Sequence, residues 1–133
     1  MRILIIEDDA TTQELLKSIL EPCSDLTVVD NTMYAVDAFS EAILSFFYYN
    51  VVLIDIGLPD IDGVKALKLL RSFEKVKSIN LSNKAKIVLM TSTADEEKVK
   101  EALKTGCNGF IIKPINKEKL NKKLQPFGVK VYY

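Results

Sequence analysis

The sequence lacks several features on which whole classes of function depend. Its 133 residues include no histidine, which excludes histidine-based catalysis and histidine metal ligands. The 18 basic and 18 acidic residues cancel, so the chain has no excess of positive charge of the kind that marks a nucleic-acid-binding protein. We therefore expect no direct nucleic-acid partner.

Long hydrophobic runs and linkers are also missing. No stretch approaches the roughly 20 apolar residues that span a bilayer, and the apolar run at 3–6 is too short for a signal-peptide core. These absences predict a cytoplasmic protein without membrane insertion. Cys23 and Cys107 form no C-x-x-C pair, so we expect reduced thiols in or near the core. The length fits one domain.

Short apolar runs alternate with longer segments of helical period along the chain. The runs at 3–6, 51–54 and 87–90 are nearly continuous, as expected for strands buried on both faces, and 26–29 and 109–112 complete a set of five. Apolar residues recur every three or four positions between them, in segments at 15–20, 35–47, 64–70, 99–103 and 120–124. This alternation predicts an α/β fold, a parallel sheet covered by helices on both faces.

Some boundaries can be predicted more closely. The second apolar stripe continues to Phe46 and Phe47, which predicts a long second helix. Residues 93–96 resemble a capping box opening the fourth helix, and Gly106 is placed to end it. The stretch 74–84 has no clear period and is predicted to be an irregular loop.

Acidic side chains follow two of the predicted strands. Glu7 and Asp8 come directly after the first strand, and Asp55 ends the third. Open α/β sheets bind ligands outside the carboxyl ends of their strands. Carboxylates that converge there repel one another, and an oxygen-only ligand set suits Mg²⁺, or Mn²⁺ in its place. The sequence therefore predicts a divalent metal site at this edge.

Two further strand ends carry matching chemistry. Thr91 and Ser92 follow the fourth strand and offer a hydroxyl and a small side chain. Lys113 follows the fifth strand, where an ammonium group can neutralise a phosphoryl oxygen.

Together these motifs resemble the response-regulator receiver family, whose simplest members are CheY-like single-domain proteins. The matching segments are 3–9 (ILIIEDD), 51–63 (VVLIDIGLPDIDG), 87–92 (IVLMTS) and 105–114 (TGCNGFIIKP). The resemblance implies a flavodoxin-like (βα)5 fold with a five-stranded parallel sheet of order 2-1-3-4-5. We expect the receiver (response regulatory) domain to cover residues 1–126 and a short C-terminal tail to cover 127–133.

The resemblance also implies a role for each matching position. The metal would be held by Glu7, largely through water, by Asp8 directly, by Asp55 and by the backbone carbonyl of Gly57. Asp55 itself matches the phosphoacceptor. The Thr91 hydroxyl would sense the phosphoryl group, and Lys113 would pair with it. The small side chain of Ser92 would leave room for it, and Phe110 would be the aromatic switch residue that responds to it. Lys113–Pro114 is expected to be cis. The extra acid Asp9 could compete as a metal contact.

The implied function is that of a signalling phosphoacceptor in a two-component (His-Asp) phosphorelay, rather than an enzyme. A sensor histidine kinase or a histidine phosphotransfer protein would supply the phosphoryl group. A downstream protein would bind the face formed by helix four, strand five and helix five. We expect a monomer or weak dimer and, from where the chain begins and ends, no attached effector domain. The alternative is a pseudo-receiver, an interaction module that is never phosphorylated.

Overall fold

The computed structural model describes residues 1–92 and 96–131, within which five strands alternate with five helices. The elements in chain order are β1 Arg2–Ile6, α1 Ala10–Leu20, β2 Asp25–Val29, α2 Thr32–Leu44, β3 Val51–Asp55, α3 Gly63–Val76, β4 Lys86–Thr91, α4 Glu96–Thr105, β5 Gly109–Ile112 and α5 Lys117–Leu124. Short 3-10 turns lie at Glu21–Cys23, Leu81–Asn83 and Gln125–Phe127.

The strands form one parallel sheet of order β2-β1-β3-β4-β5, which confirms the predicted fold. Ile6 pairs with Ile54, Asp55 with Met90, and Thr91 with Ile112. The carboxyl ends of β1, β3, β4 and β5 therefore lie side by side along one edge. Every acid and base predicted for the site lies at one of these ends or directly after it.

The core consists of two apolar layers, one on each face of the sheet. Because successive side chains of a strand point to opposite faces, Leu4 and Ile6 pack with α2 and α3, whereas Ile3 and Ile5 pack with α1 and α5. The central strands have both faces covered, which explains their continuous apolar sequence. Val129 and Val131 are buried in the second layer, so the tail packs on the body as far as residue 131.

The second helix is shorter than its apolar stripe predicts. α2 ends at Leu44, and Phe46, with φ of 58°, turns the chain away. Phe46 and Phe47 are 79% and 59% exposed, so their assignment to the buried stripe is wrong. The Arg2 guanidinium lies 4.1 Å from the centre of the Phe47 ring and also donates to the Phe47 carbonyl oxygen. Phe47 therefore contacts Arg2 of β1 instead of forming a further turn of α2.

The 74–84 stretch is more ordered than predicted. α3 continues through Glu74 to Val76, and Leu81–Asn83 forms a 3-10 turn whose preceding Asn80 side chain accepts from Asn83 N. Glu74 is only 2% exposed. Its buried carboxylate is satisfied by two hydrogen bonds, from Arg71 Nη1 at 2.6 Å and from Ala85 N at 2.8 Å. The prediction of a wholly irregular loop is therefore wrong.

Other boundary predictions have mixed outcomes. Gly106 ends α4 with φ of +108°, and the Lys113–Pro114 bond is cis, as predicted. Thr93, at which the predicted capping box begins, lies outside the described residues. Among the helices of residues 1–92 and 96–131, none is both long and apolar enough to cross a membrane.

Candidate phosphoacceptor and metal site

Three carboxylates converge at the carboxyl edge of the sheet. Glu7, Asp8 and Asp55 each offer an oxygen, and these oxygens all lie within 4.8 Å of one another. Glu7 is fully buried, Asp55 is 8% exposed and Asp8 is open to solvent. Parallel pairing of β1 and β3 produces this convergence, because it places residues after Ile6 beside those after Ile54. The predicted acidic cluster is present.

Lys113 reaches into the same cluster from the end of β5. Its Nζ lies 3.1 Å from both Glu7 carboxylate oxygens and 3.6 Å from Asp55 Oδ2. Its backbone N–H donates to the Thr91 carbonyl at 2.7 Å, which ties the lysine to the end of β4. The ammonium group therefore bridges two of the three acids, with its shorter contacts to Glu7.

The electrostatics leave this pocket short of positive charge. Burial raises the pKa of Glu7, and the neighbouring Asp55 carboxylate raises it further, although hydrogen bonding and charge attraction from Lys113 act in the opposite direction. Lys113 thus offsets negative charge on Glu7 and Asp55, while Asp8 adds a further carboxylate on the solvent side of the site. The donor set is oxygen-only and carries excess negative charge, which fits a hard divalent cation such as Mg²⁺.

Asp9 lies next to this cluster in sequence but serves another purpose. Its Oδ2 accepts from Thr12 N at 2.9 Å and Thr12 Oγ1 at 2.6 Å, so it caps the first turn of α1. The same bonds lower the pKa of Asp9. The carboxylate that the sequence offered as a possible metal competitor is thus engaged at the helix start.

The remaining predicted residues lie on or just after β3, β4 and β5 and differ in burial. Gly57 N donates to Asp55 Oδ1 at 3.2 Å, which places the Gly57 peptide beside the central carboxylate. Thr91 is buried at the end of β4, and Ser92 after it is exposed. Phe110 is half-buried against the apolar layer that contains Leu89. It lies under Lys123, whose Nζ is 5.7 Å from the ring centre.

The structure adds three residues that the sequence analysis did not single out for the site. Gly63 lies so close to the Asp55 carbonyl that a Cβ atom would come within 2.5 Å of that oxygen. Asp62 caps α3 by accepting from Val64 N and Lys65 N, and an aspartate before a helical pattern is a recognisable signal. The Asp60 carboxylate accepts a hydrogen bond from Thr32 N, 28 residues away, and the local sequence carries no signal for this contact.

The comparisons with known proteins agree with this geometry. Residues 3–125 match the response regulator receiver domain family. The chain is 30% identical over 117 residues to the chemotaxis protein CheY of Halobacterium salinarum, covering 87% of each protein. It is 31% identical over 129 residues to the osmosensing histidine protein kinase SLN1 of Saccharomyces cerevisiae, covering 96% of this chain but 10% of the kinase.

A solved structure gives the same result. A chain of the co-crystal structure of the S. cerevisiae histidine phosphotransfer signaling protein Ypd1 and the receiver domain of its downstream response regulator Ssk1 superimposes with a TM-score of 0.80. The identity is 29%, and the match covers 96% of this chain and 88% of that one. The chain belongs to the response regulator receiver domain family, whose members serve two-component and phosphorelay signalling as phosphoacceptors rather than as classical enzymes.

Proposed function

We propose that Asp55 accepts a phosphoryl group from a phosphohistidine donor and that Mg²⁺ assists the transfer. The observation that carries the proposal is the convergence of Glu7, Asp8 and Asp55 within 4.8 Å, with Lys113 Nζ 3.6 Å from Asp55 Oδ2. A carboxylate flanked by two further acids and a lysine is suited to bind a cation and then to receive an anionic group beside it.

The residues that would hold the metal are Glu7, Asp8, Asp55 and the backbone carbonyl of Gly57. When bound, Mg²⁺ neutralises negative charge on the transferring group. In the transfer itself an Asp55 carboxylate oxygen attacks phosphorus, the bond from phosphorus to the histidine nitrogen breaks, and that nitrogen keeps the electron pair. Lys113 would then exchange part of its pairing with Glu7 for the new phosphoryl oxygens.

The donor is proposed to be a sensor histidine kinase or a histidine phosphotransfer protein. In support, the related receiver domain of Ssk1 was co-crystallised with the phosphotransfer protein Ypd1. The chain spans only 10% of SLN1, 15% of a probable rice histidine kinase and 23% of the Escherichia coli regulatory protein AtoC. The proposal therefore draws on the receiver portion of these relatives and not on the activities of the whole proteins. We propose that this receiver acts in the cytoplasm.

The output is proposed to pass through the face of α4, β5 and α5. A phosphoryl group adds nearly two negative charges at one point. This charge would attract the Thr91 hydroxyl, and Phe110 would then move toward the space that the hydroxyl leaves. Exposed lysines give this face a basic character suited to an acidic partner, namely Lys100, Lys104, Lys117 and Lys119. The side chain of Lys98, also in α4, lies outside the part of the chain that the structure describes.

Phosphorylation can be tested with acetyl phosphate as the donor. Wild-type protein incubated with acetyl phosphate and Mg²⁺ should gain roughly 80 Da, the mass of one phosphoryl group, by intact-mass measurement. Asp55→Asn should show no gain, and chelation of the metal should prevent it in the wild type. Asp25→Asn is the matched control, because Asp25 is an exposed acid that pairs with Arg2 at the opposite end of the sheet.

The outcomes separate the two candidate functions. Labelling of Asp55→Asn at the wild-type level would show that the acceptor is misassigned. A wild-type protein that binds neither Mg²⁺ nor a phosphoryl group would instead support the pseudo-receiver alternative.

The output face can be tested by amide hydrogen exchange with and without beryllofluoride, which mimics the phosphoryl group. Changes should extend from the acidic cluster into β5 and α5. If they stay confined to residues 7–9 and 55–63, the proposed output face is wrong.

A further inference from the structure

The loop between β3 and α3, residues 56–62, is attached to a second helix mainly through the Asp60 side chain, with a longer bond of 3.5 Å from the Thr32 hydroxyl to the Ile61 carbonyl. Asp60 Oδ2 accepts from Thr32 N at 2.9 Å and Met33 N at 3.2 Å, both in the first turn of α2. Its Oδ1 accepts from Thr32 N at 3.1 Å and from Ile61 N at 2.9 Å. One carboxylate therefore connects the loop to α2 through two backbone amides of the helix, and it also accepts from one amide of the loop itself.

α2 does not depend on Asp60 for its own cap. The Asn31 side chain already accepts from Tyr34 N at 2.9 Å, which is the usual bond of an N-cap residue. The Asp60 bonds are additional, and what they fix is the position of the loop relative to the helix. Although partial burial acts to raise the pKa of Asp60, the amide donors of Thr32, Ile61 and Met33 outweigh it and lower the pKa.

The base of the same loop is closed independently. Gly63 N donates to the Ile56 carbonyl at 2.9 Å, and Asp62 caps α3. The middle of the loop, with Gly57 beside Asp55, lies between this closed base and the Asp60 attachment. Ile56 and Leu58 stay buried in the core layer between the sheet, α2 and α3. Freeing Asp60 would thus loosen the exposed part of the loop, which includes Gly57, while leaving both helix starts capped.

We propose that Asp60 is a positioning residue, which holds the 56–62 loop against α2 so that the Gly57 carbonyl is set for the metal. The inference rests on the proposed function, because the metal site belongs to it. Partners that orient metal ligands usually contribute about 10- to 100-fold to metal affinity. A single backbone ligand, attached through an exposed carboxylate, should lie at the low end of that range.

The first experiment compares Mg²⁺ affinity by calorimetry in three variants of the full chain. Asp60→Ala should bind Mg²⁺ about tenfold more weakly than wild type. Asp60→Asn keeps one acceptor oxygen but loses the charge, so its affinity should be intermediate. Glu41→Gln removes one exposed negative charge further along α2, away from the loop, and its affinity should match wild type. Equal losses in all three variants would indicate a general charge effect and overturn the inference.

The second experiment measures amide exchange in the metal-free proteins. Asp60→Ala should speed exchange at the Thr32, Met33 and Ile61 amides and across 56–62, while α2 beyond Tyr34 and the thermal midpoint stay close to wild type. Unchanged exchange would overturn the attachment itself, and faster exchange with unchanged Mg²⁺ affinity would overturn the positioning role. If wild-type protein binds no Mg²⁺, both the proposed function and the positioning role are wrong. The exchange data would still show whether Asp60 holds the loop against α2.

Discussion

At the residue scale, Gly63 is constrained by backbone on two sides. A Cβ atom there would lie 2.5 Å from the Asp55 carbonyl oxygen and 2.7 Å from Ile56 Cα, and neither can move without displacing the end of β3. Gly63→Ala should therefore lower the free energy of unfolding by about 1–3 kcal/mol, the usual range for overpacking, in urea denaturation. Gly57→Ala is the control, because its Cβ would meet Asp55 Oδ1 at an ordinary 3.9 Å. Equal losses in both variants would contradict this explanation.

Glu7 should make the metal-free protein sensitive to pH. Its pKa is raised in the folded state by burial and by Asp55, so the folded protein holds this proton more tightly than the unfolded chain. Stability should then fall as pH rises from the ordinary glutamate pKa through the raised value. The test compares Glu7→Gln with wild type in the presence of a chelator. The unfolding free energy of the variant minus that of wild type should increase as pH rises from the ordinary glutamate pKa through the raised value, because only wild type loses this contribution. A difference that is flat or decreases with pH would contradict the assignment.

At the element scale, a buried ion pair joins α3 to the start of β4 and to the turn before β5. Arg71 donates to Glu74, to the carbonyls of Ala85 and Gly106 and to Asn108 Oδ1, and Glu74 also accepts from Ala85 N. Glu74→Ala would leave the guanidinium without its anion in a site where Glu74 is 2% exposed. It should cost about 3 kcal/mol of unfolding free energy, as expected when one partner of a buried pair is removed.

Glu101 provides a matched control for that prediction. It also pairs at 2.6 Å, with Lys68, and it also lies in a helix, but both side chains are about half exposed. Glu101→Ala should cost less than about 1 kcal/mol, because water screens exposed pairs. Similar costs for the two variants in parallel denaturation curves would show that burial does not set the strength of the Arg71–Glu74 pair.

At the scale of the whole molecule, Mg²⁺ should stabilise the fold. Its site, where three carboxylates repel one another, exists only when β1 and β3 are paired, so the cation would bind the folded chain and not the unfolded one. A free concentration of a hundred times the dissociation constant should add about 2.7 kcal/mol, seen as a rise in the thermal midpoint. Asp8→Asn should weaken this shift, while Asp25→Asn, at the other end of the sheet, should leave it unchanged. Equal shifts in both variants would place the cation elsewhere.

The fold and the composition of the site could be predicted from the amino-acid sequence. Continuous apolar runs predict strands covered on both faces, and a parallel sheet brings the residues after those strands to one edge. The strand order implied by the resemblance to receivers then places Glu7, Asp8, Asp55 and Lys113 near one another at that edge, as the structure has them. These inferences succeed because each depends on a local pattern, on the regular geometry of parallel strands or on the strand order shared by the family.

Features that join distant residues emerged only from the packing of the folded chain. The apolar stripe of α2 does not show that the helix stops at Leu44, because the competing contact is with Arg2, 45 residues from Phe47. Nor does the sequence show that Asp60 bonds to Thr32 or that Lys113 is closer to Glu7 than to Asp55. A carboxylate or an ammonium group has several potential partners, and which one it contacts depends on how separate elements pack rather than on the residues beside it in the chain.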